Sequence, residues 1–493
     1  MASSDVVILG AGPAGLTAAY ELGKAGVRST IVERDDTVGG IARTVNYKGY
    51  RFDIGGHRFF TKVTAVENLW REVLGDNLLA RGRLSRIYYN NKFFSYPLKP
   101  FNALAGLGLF ETTRCVASYG RSRLFPQKPE DDFATWITNR FGRRLFQIFF
   151  ETYTEKVWGI PCREIHAEWA AQRIKGLSLS TAIKNAVFGE RAKNKQDVVK
   201  TLIDEFLYPR LGPGMMWERT RELVEQMGSQ VIFDAPLERV YWKQSGVEAA
   251  AAGGVVYEGR HFLSSVAIRD LVEALTPPPP EEVLAAARRL RYRDFLTIAL
   301  VIRGRDLFPD NWIYIHDARV RMGRIQNFKN WSPEMVPDPE MTCLGLEYFC
   351  FEGDDLWNES DEVLVELGKR EIGQLRLADP SQVVDGAVVR MVKAYPVYDG
   401  AYTEAVTTVR QWLEKLGNLQ LVGRNGMHRY NNQDHSMLTA MLAARNILGA
   451  DYDLWQVNAE QENHEEGREV ALSDLKRVEE TQPLVPRKMG KSV

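Results

Sequence analysis

The feature that most constrains the fold of this chain is the stretch Val6–Gly15, close to its N-terminus. Its first four residues are apolar, as suits a strand buried on both faces of a parallel sheet. Three glycines follow with the spacing G-x-G-x-x-G, and good helix formers come next. The first glycine permits a tight turn, the second lets backbone approach a pyrophosphate, and the third lets helix and strand pack closely. The residues predicted to bind a dinucleotide here are Gly10, Gly12, Pro13, Ala14 and Gly15.

A second strand is predicted over Ser29–Val32, and it ends at Glu33. An acid at that point is placed to hold an adenosine ribose hydroxyl, which suits FAD or NAD over NADP. We assign Arg34, the next residue, to the same site. The alternative is an ordinary strand–turn–helix without a ligand, which the strand on one side and the helix on the other make less favourable.

Size and composition indicate a globular protein of two or three domains in one body, since the chain has 493 residues, 45% of them hydrophobic and 26% charged. A formal net charge of -1 gives no electrostatic case for binding nucleic acid or an anionic membrane. The four cysteines form no C-x-x-C or zinc spacing, so we expect reduced thiols, a cytoplasmic location and no metal site. No signal peptide is recognisable, and the apolar run 101–110 is too short to span a bilayer.

Two further glycine pairs follow the second strand. Each can bring backbone close to a flat ring or around a dinucleotide, although a Gly-Gly loop seen alone is as often structural. The second pair is followed at once by a histidine. The residues assigned to the cofactor here are Gly39, Gly40, Arg43, Gly55, Gly56 and His57.

Together these motifs resemble the FAD site of the amine-oxidase and glutathione-reductase-like flavoproteins. The resemblance implies an α/β fold with a Rossmann-like FAD-binding domain, a helical substrate domain and an antiparallel-sheet domain. A flavin therefore outranks a nicotinamide as the primary cofactor. The expected FAD-binding domain is discontinuous (1–70, 208–280 and 395–455), the mainly helical substrate domain covers 71–207, the antiparallel sheet covers 281–394, and 456–493 is a loose tail.

Residues later in the chain resemble the UDP-galactopyranose mutase family, most closely its eukaryotic-type branch. The matching segments run from about Val6 to Gly449. The resemblance implies that a nucleotide-diphosphate sugar is bound by aromatic residues and two arginines, one of them on a mobile loop. The implied substrate-binding residues are Tyr96, Trp158, Arg173, Trp312, Tyr314, Arg324, Tyr395, Tyr430 and Asn432. For Trp158, a place in the core remains the alternative.

The family's chemistry is nucleophilic catalysis by the cofactor. The resemblance implies that N5 of reduced FAD attacks the anomeric carbon, which interconverts pyranose and furanose, with His57, Arg173 and Arg324 as the catalytic residues. Two always-charged arginines suit a diphosphate because their donors are planar and bidentate. NAD(P)H is a candidate external reductant, and a homo-oligomer is compatible with the family. Near the last helix, the implied flavin contacts are Gly423, Arg424, Asn432, Gln433 and Ser436.

Several positions depart from the family pattern. Lys99 replaces a glutamine near the uridine, Trp331 replaces a tyrosine, and Asn432 replaces the aspartate of the bacterial branch. The segment 178–206 resembles neither branch and is expected to be a flap or a surface helix. These changes affect the substrate side, so the sugar and the base stay open. Two other functions remain in view: an FAD oxidoreductase of the amine-oxidase or desaturase type, and a flavin-binding protein without catalysis.

Overall fold

A computed structural model describes residues 2–96, 98, 100–167 and 205–458 of the chain. Its strands are, in chain order, β1 (Ala2–Leu9), β2 (Ser29–Val32), β3 (Thr44–Tyr47), β4 (Tyr50–Asp53), β5 (Leu78–Gly82), β6 (Ser85–Tyr89), β7 (Lys92–Ser95), β8 (Glu205–Pro209), β9 (Gln230–Ile232), β10 (Leu237–Lys243), β11 (Gly246–Ala252), β12 (Val255–Ser264), β13 (Leu275–Thr276), β14 (Tyr292–Arg303), β15 (Trp312–Ile315), β16 (Arg324–Asn327), β17 (Met341–Cys350), β18 (Val383–Pro396) and β19 (Leu419–Leu421).

The helices of the described residues are, in chain order, α1 (Pro13–Lys24), α2 (Thr64–Leu74), α3 (Pro100–Leu107), α4 (Leu109–Leu124), α5 (Phe133–Phe141), α6 (Arg143–Phe146), α7 (Thr152–Trp158), α8 (Gly214–Gln226), α9 (Ile268–Glu273), α10 (Glu281–Arg289), α11 (Phe328–Trp331), α12 (Asp355–Asn358), α13 (Asp361–Gln374), α14 (Tyr402–Leu413), α15 (Gly423–Gly426) and α16 (Gln433–Ile447).

The first sheet has β1 at its centre, as the apolar run at the N-terminus predicts. β1 pairs in parallel with β2 on one side and with β12 on the other, and the apolar residues of β1 are almost fully buried. The strand order is β13-β10-β11-β12-β1-β2-β9, with β19 joined in parallel to β12. α1 and α16 pack together on this sheet and complete a nucleotide-binding α/β layer.

The second sheet is antiparallel over most of its width, in the order β18-β14-β17-β16-β15-β6-β7. β14 is buried along almost its whole length because β17 and β18 pair with its two edges, α13 packs on one face, and residues such as Phe52 and Ile54 pack on the other. One junction is parallel, between β15 and β6. The α/β fold with one mainly parallel and one mainly antiparallel sheet is the predicted fold class, which is confirmed.

The segment 71–207 contains more strand than its sequence pattern predicts. α2 to α7 are helical, but β5 to β7 occupy 78–95, and two of them extend the second sheet. The alternation of buried and exposed residues in β6 and β7 is short. Their aromatic and basic residues also fit a helical pattern, so the sequence does not indicate strands there. The boundaries proposed for the domains stay predictions. Most of the proposed flap and all of the tail beyond residue 458 lie outside the described residues.

No helix of the described part is both long enough and apolar enough to cross a bilayer. Within the same residues, no three His, Cys, Asp or Glu side chains are grouped so as to hold a metal ion.

Candidate active site

A cavity of about 1290 Å³ runs between the two sheets. One end is lined by the glycine turn after β1 and by the end of β2, and the other by aromatic and basic residues of the second sheet and α7. The middle is lined by Gly55–His57 and by the start of α16. Most of the residues assigned from sequence therefore face one continuous space.

The glycine turn has the geometry that its spacing predicts. Gly10 has φ of +100°, a conformation that favours glycine, and its N–H donates to the carbonyl of Val32 (2.8 Å). A Cβ on Gly15 would lie 1.9 Å from the carbonyl oxygen of Gly10, so only glycine lets α1 pack against the turn. Gly12 and Gly40 face each other across the cavity wall, which brings two loops together and leaves backbone exposed to the cavity.

Glu33 connects the end of β2 to this turn. Its buried carboxylate accepts hydrogen bonds from the N–H groups of Ala11 (2.7 Å) and Asp35 (3.1 Å) and also faces the cavity. Burial raises the pKa of Glu33. Beside it, Arg34 is half exposed, lies 3.4 Å from Asp35 and lines the cavity rim.

Three residues assigned to the cofactor lie behind the cavity wall. Gly15 is covered by Gly10, as described above, and Gly39 packs against the backbone of Arg43. Arg43 pairs with Asp35 at 2.6 Å, and its side chain does not line the cavity. The two glycines let neighbouring segments pack closely, and the Arg43 side chain pairs with Asp35. All three residues therefore shape the cavity wall without facing the cavity.

The Gly55–His57 segment forms the middle of the cavity. Gly55 has φ of +94°, and a Cβ on Gly56 would lie 2.8 Å from Nε2 of Gln326. Nε2 of His57 donates to the carbonyl of Ile54 (2.8 Å), because a carbonyl can only accept. Burial, together with the nearby charges of Arg424 and Arg324, lowers the pKa of His57 to about 4, so the ring is neutral at pH 7.

The neutral state of His57 makes stability depend on pH. Its pKa is about 4 in the folded chain and about 6.5 in an unfolded one, so the unfolded chain binds the extra proton as pH falls. We expect His57 alone to remove about 2 kcal/mol of unfolding free energy between pH 7 and pH 5. The measurement is urea unfolding of wild type and His57→Gln at both pH values.

The comparison with His57→Gln isolates this effect. Asp53, whose pKa burial raises to about 7, acts in the opposite sense and is present in both proteins. Identical pH dependence of the unfolding free energy in the two proteins would show that His57 is not buried and neutral.

The start of α16 faces the cavity between the two halves. Asn432 is its N-cap residue, and the N–H of Asn432 donates to Nδ1 of His435 (3.3 Å). Oε1 of Gln433 accepts from Nε1 of Trp217 (3.2 Å), which fixes that amide at the cavity wall. The positive end of the helix thus points at the cavity, a place that favours an anion.

A tyrosine pair and an arginine lie beyond this helix start. Tyr395 and Tyr430 stack with ring centroids 5.5 Å apart and planes 16° apart. The Arg424 guanidinium lies 5.3 Å from the Tyr395 ring and 4.8 Å from the Tyr430 ring. It donates to the carbonyls of Asn431 and Ala394, both at 2.9 Å, and has no carboxylate partner among the described residues. The pair and the cation form a cavity wall with excess positive charge.

Arg324 supplies a second cation. It stands directly opposite Glu347 on the neighbouring strand, and its Nε donates to Oε2 of that fully buried carboxylate (2.5 Å). The other oxygen of Glu347 accepts from Nε2 of Gln326 (2.7 Å). Although burial by itself lowers the pKa of Arg324, Glu347 raises it overall, so the guanidinium stays charged. Glu347 therefore fixes the direction in which Arg324 faces the cavity.

Aromatic side chains complete this half of the cavity. The Tyr314 ring centroid lies 4.6 Å from that of Tyr96 and 5.5 Å from that of Tyr153. Trp312 lies on the same strand, two residues away. The guanidinium of Arg83 lies 5.5 Å from the Trp312 ring and 5.6 Å from the Tyr96 ring. A planar, partly charged group fits such a wall.

The structure describes only one of the two predicted substrate residues Trp158 and Arg173. Trp158 ends α7; it is 2% exposed, packs within the aromatic core of the helical segment and also contributes to the cavity lining. Its ring stacks on Tyr398 at 6.2 Å. Arg173 lies outside the described residues.

Several cavity residues were not assigned from the sequence. Tyr153 lines the cavity near Arg324, and Ser265–Ala267 and Ala235–Leu237 line the dinucleotide end, whereas Glu347 holds Arg324 from behind the cavity wall. A usable signal existed for two of these. Glu347 is a lone acid in an apolar strand, which requires a buried partner, and Ser265 follows the carboxyl end of a strand parallel to β1.

The fold and the cavity define a flavin-binding α/β protein. The glycine turn suits the pyrophosphate of FAD, Glu33 at the end of β2 suits its adenosine ribose, and the start of α16 suits an anionic group at its flavin end. One cavity is long enough to include all three. The sequence profile of the family described as flavin containing amine oxidoreductase matches residues 13–448. The chain belongs to this family, which implies a flavin cofactor, FAD.

Curated relatives match shorter stretches. An L-amino acid oxidase of Crotalus durissus cumanensis is 36% identical over 109 residues, 19% of this chain and 22% of that protein. A thiamine thiazole synthase of Aeropyrum pernix is 60% identical over 37 residues, 8% of this chain and 14% of that protein. The chain thus spans about a fifth or less of the length of these relatives.

Solved structures extend the likeness to the whole fold. Reduced UDP-galactopyranose mutase superposes with a TM-score of 0.81 at 22% identity, over 93% of this chain and 98% of that one. Putrescine oxidase bound to putrescine gives a TM-score of 0.60 at 18% identity, over 90% and 99% of the two chains. At these identities the likeness concerns the fold.

Proposed function

We propose that this protein is a mutase of nucleotide-diphosphate sugars that works with reduced FAD and interconverts ring forms or makes a related rearrangement. The observation that carries the proposal is the pair of cavity arginines: Arg324 and Arg424 face the same cavity as the flavin-binding segments. Arg424 has no carboxylate partner among the described residues, and Arg324, although paired with Glu347, stays protonated because that carboxylate raises its pKa. Such a cavity attracts a diphosphate.

The same charges argue against a cationic amine substrate. A stacked tyrosine pair could otherwise form a wall for an ammonium group. Here the guanidinium of Arg424 lies within 5.3 Å of both rings, so an ammonium beside them would meet a like charge in a poorly hydrated space. A diphosphate would instead receive hydrogen bonds from the tyrosine hydroxyls and from the guanidinium.

In this proposal the reduced flavin supplies the nucleophile for the anomeric carbon. The chain's residues bind and orient. Arg324, held by Glu347, and Arg424 neutralise the diphosphate and keep it bound after it leaves the sugar. Tyr395 and Tyr430 add neutral donors, and burial raises the pKa of Tyr395, which keeps its proton. Tyr96, Tyr314 and Trp312 provide aromatic faces for the base.

A protein acid or base is not required. Both oxygens of Glu347 are engaged by Arg324 and Gln326, and His57 is neutral with one nitrogen bound to a carbonyl. The positive end of α16 would stabilise the reduced, anionic form of the flavin. The proposal includes a cytoplasmic location, in keeping with the four buried free cysteines, and an external reductant such as NAD(P)H.

An FAD oxidoreductase acting by hydride transfer is the second candidate. Membership of the amine oxidoreductase family and the fold shared with putrescine oxidase favour it. The cationic substrate end of the cavity, with Arg324 and Arg424, disfavours it for amine substrates.

The two candidates are separated by the redox state in which the protein is active. The purified flavoprotein is incubated with a set of nucleotide-diphosphate sugars, once reduced by dithionite under argon and once oxidised in air, and products are separated by chromatography. We expect new products only in the reduced samples. Oxygen uptake in step with substrate loss would overturn the proposal in favour of the oxidoreductase.

A further inference from the structure

Helix α4 carries an exposed apolar face far from the cavity. Leu109 is 90% exposed, Phe110 77% and Leu124 76%, and Phe125, directly after the helix, is 74% exposed. Val116 lies between them and is also exposed. Leu109, Val116 and Leu124 share one face of the helix with the smaller Thr113 and Gly120, because these positions are three or four residues apart. None of the α4 residues lines the cavity described above.

The inward face of α4 is more polar than the outward one. Glu111 forms an ion pair with Arg144, Ser118 accepts from the N–H of Arg144, and Ser122 and Cys115 are buried. A surface helix normally has the reverse arrangement, with its apolar stripe against the core. No other described residue covers the apolar stripe of α4, which leaves it open to a partner.

Basic residues flank the stripe. Arg123 lies on one side of it, and Arg114 and Arg121 lie on the other, and no acid stands on the outward face of α4. Within the described part of the chain, Arg121 and Arg123 form no ion pair, whereas Arg114 lies 3.4 Å from Glu111 and its guanidinium lies 5.7 Å from the centre of the Phe110 ring. The net charge of -1 thus conceals a local basic apolar surface.

This pattern matches one occupant better than others. Two copies of α4 paired antiparallel would bring Arg114 and Arg121 of both copies close together, and Glu111, which also pairs with Arg144, is the only acid on the helix. A lipid surface takes up apolar side chains and leaves flanking arginines at the level of the headgroups, where anionic lipids attract them.

We propose that α4, together with Phe125, docks on an anionic lipid surface, so that the protein attaches to one face of a membrane without crossing it. Leu109, Phe110, Leu124 and Phe125 enter the headgroup region, and Arg114, Arg121 and Arg123 contact lipid phosphates. This attachment is independent of the proposed catalytic function.

Sedimentation of the full-length flavoprotein with vesicles tests the proposal. Vesicles of phosphatidylcholine alone are compared with vesicles that also contain phosphatidylglycerol. We expect binding to the anionic vesicles and weak binding to the neutral ones. The double variant Phe110→Ser/Phe125→Ser should weaken binding by about tenfold or more. Arg121→Gln/Arg123→Gln should weaken it by roughly fivefold for each arginine removed, and only on anionic vesicles.

The control is Val363→Ser, which removes an exposed apolar side chain (51% exposed) from a different helix, α13. Flavin absorbance shows that every variant is folded. Equal vesicle binding by wild type and Phe110→Ser/Phe125→Ser, or no binding at all, would overturn the proposal. Light scattering adds a further outcome that would overturn it: a dimer that Phe110→Ser/Phe125→Ser dissociates, which would assign the face to a second copy of the chain.

Discussion

The Arg324→Met variant is expected to retain its flavin and to lose turnover of nucleotide-diphosphate sugars by roughly a hundredfold to a thousandfold. The loss follows because a fixed cation at the substrate end of the cavity disappears, whereas the glycine turn, Glu33 and the start of α16 are unchanged. Steady-state kinetics of the reduced protein, together with flavin content from absorbance, measure both effects.

The same substitution is expected to destabilise the fold by about 3–5 kcal/mol, because Glu347 is fully buried and would lose its charged partner. Replacing both residues, as Arg324→Met/Glu347→Met, removes the unpaired charge and should restore most of the unfolding free energy. It should not restore turnover. Urea unfolding of the two variants separates the role of Arg324 in stability from its role at the substrate.

Arg86 offers a matched control. It forms an ion pair with a fully buried acid, Asp310, at 2.5 Å, and neither residue lines the cavity. Arg86→Met should therefore lower stability and leave turnover per folded molecule unchanged. If Arg324→Met turned over nucleotide sugars as well as Arg86→Met does, Arg324 would have no role at the substrate.

Gly15→Ala is expected to abolish flavin binding in most of the purified protein. The new Cβ would lie 1.9 Å from the carbonyl oxygen of Gly10 and 3.2 Å from the side chain of Ile8, so α1 must move away from β1. The move would shift the N-terminus of α1, where the pyrophosphate is expected, and would cost several kcal/mol, on the order of an overpacked core site or more. Flavin absorbance and thermal unfolding measure these two effects.

Gly417→Ala is the control for this variant, since a Cβ at that position meets no atom within 4 Å and its φ is not in the left-handed region. It should bind flavin as wild type does. A Gly15→Ala protein with full flavin content and unchanged unfolding temperature would mean that α1 does not pack against the turn as described.

The dinucleotide end was the easiest part to predict from the sequence. The strand, turn and helix of Val6–Lys24 depend on local rules, namely an apolar run, glycine spacing and helix propensity. Glu33 was predictable for the same reason, because its place is set by the end of a neighbouring strand. Its hydrogen bond to Ala11 was not, since it depends on how two loops meet.

The substrate end depends on contacts between distant parts of the chain. Arg324 and Glu347 meet through the register of β16 and β17, and Tyr395 stacks on Tyr430, which lies 35 positions later in the chain. Strand register follows from tertiary packing, which a single sequence does not display. The resemblance to the mutase family identified these residues, but Tyr153 and Glu347, which surround Arg324, needed the structure.

The strands of 78–95 also depend on contacts between distant parts of the chain. Their short aromatic segments fit the helical pattern predicted for 71–207, but they form strands because β6 pairs with β15 and β5 pairs with β8. Tertiary pairing overrode a weak local preference.

The central claim is that the flavin acts in its reduced form and is not consumed. One anaerobic sample tests it: the photoreduced protein is mixed with a large excess of a nucleotide-diphosphate sugar that the substrate survey identifies, and flavin absorbance and product are followed together. We expect many product molecules per flavin while the flavin stays reduced, and none from the oxidised protein. Product formation that stops after a single equivalent as the flavin changes redox state would contradict it.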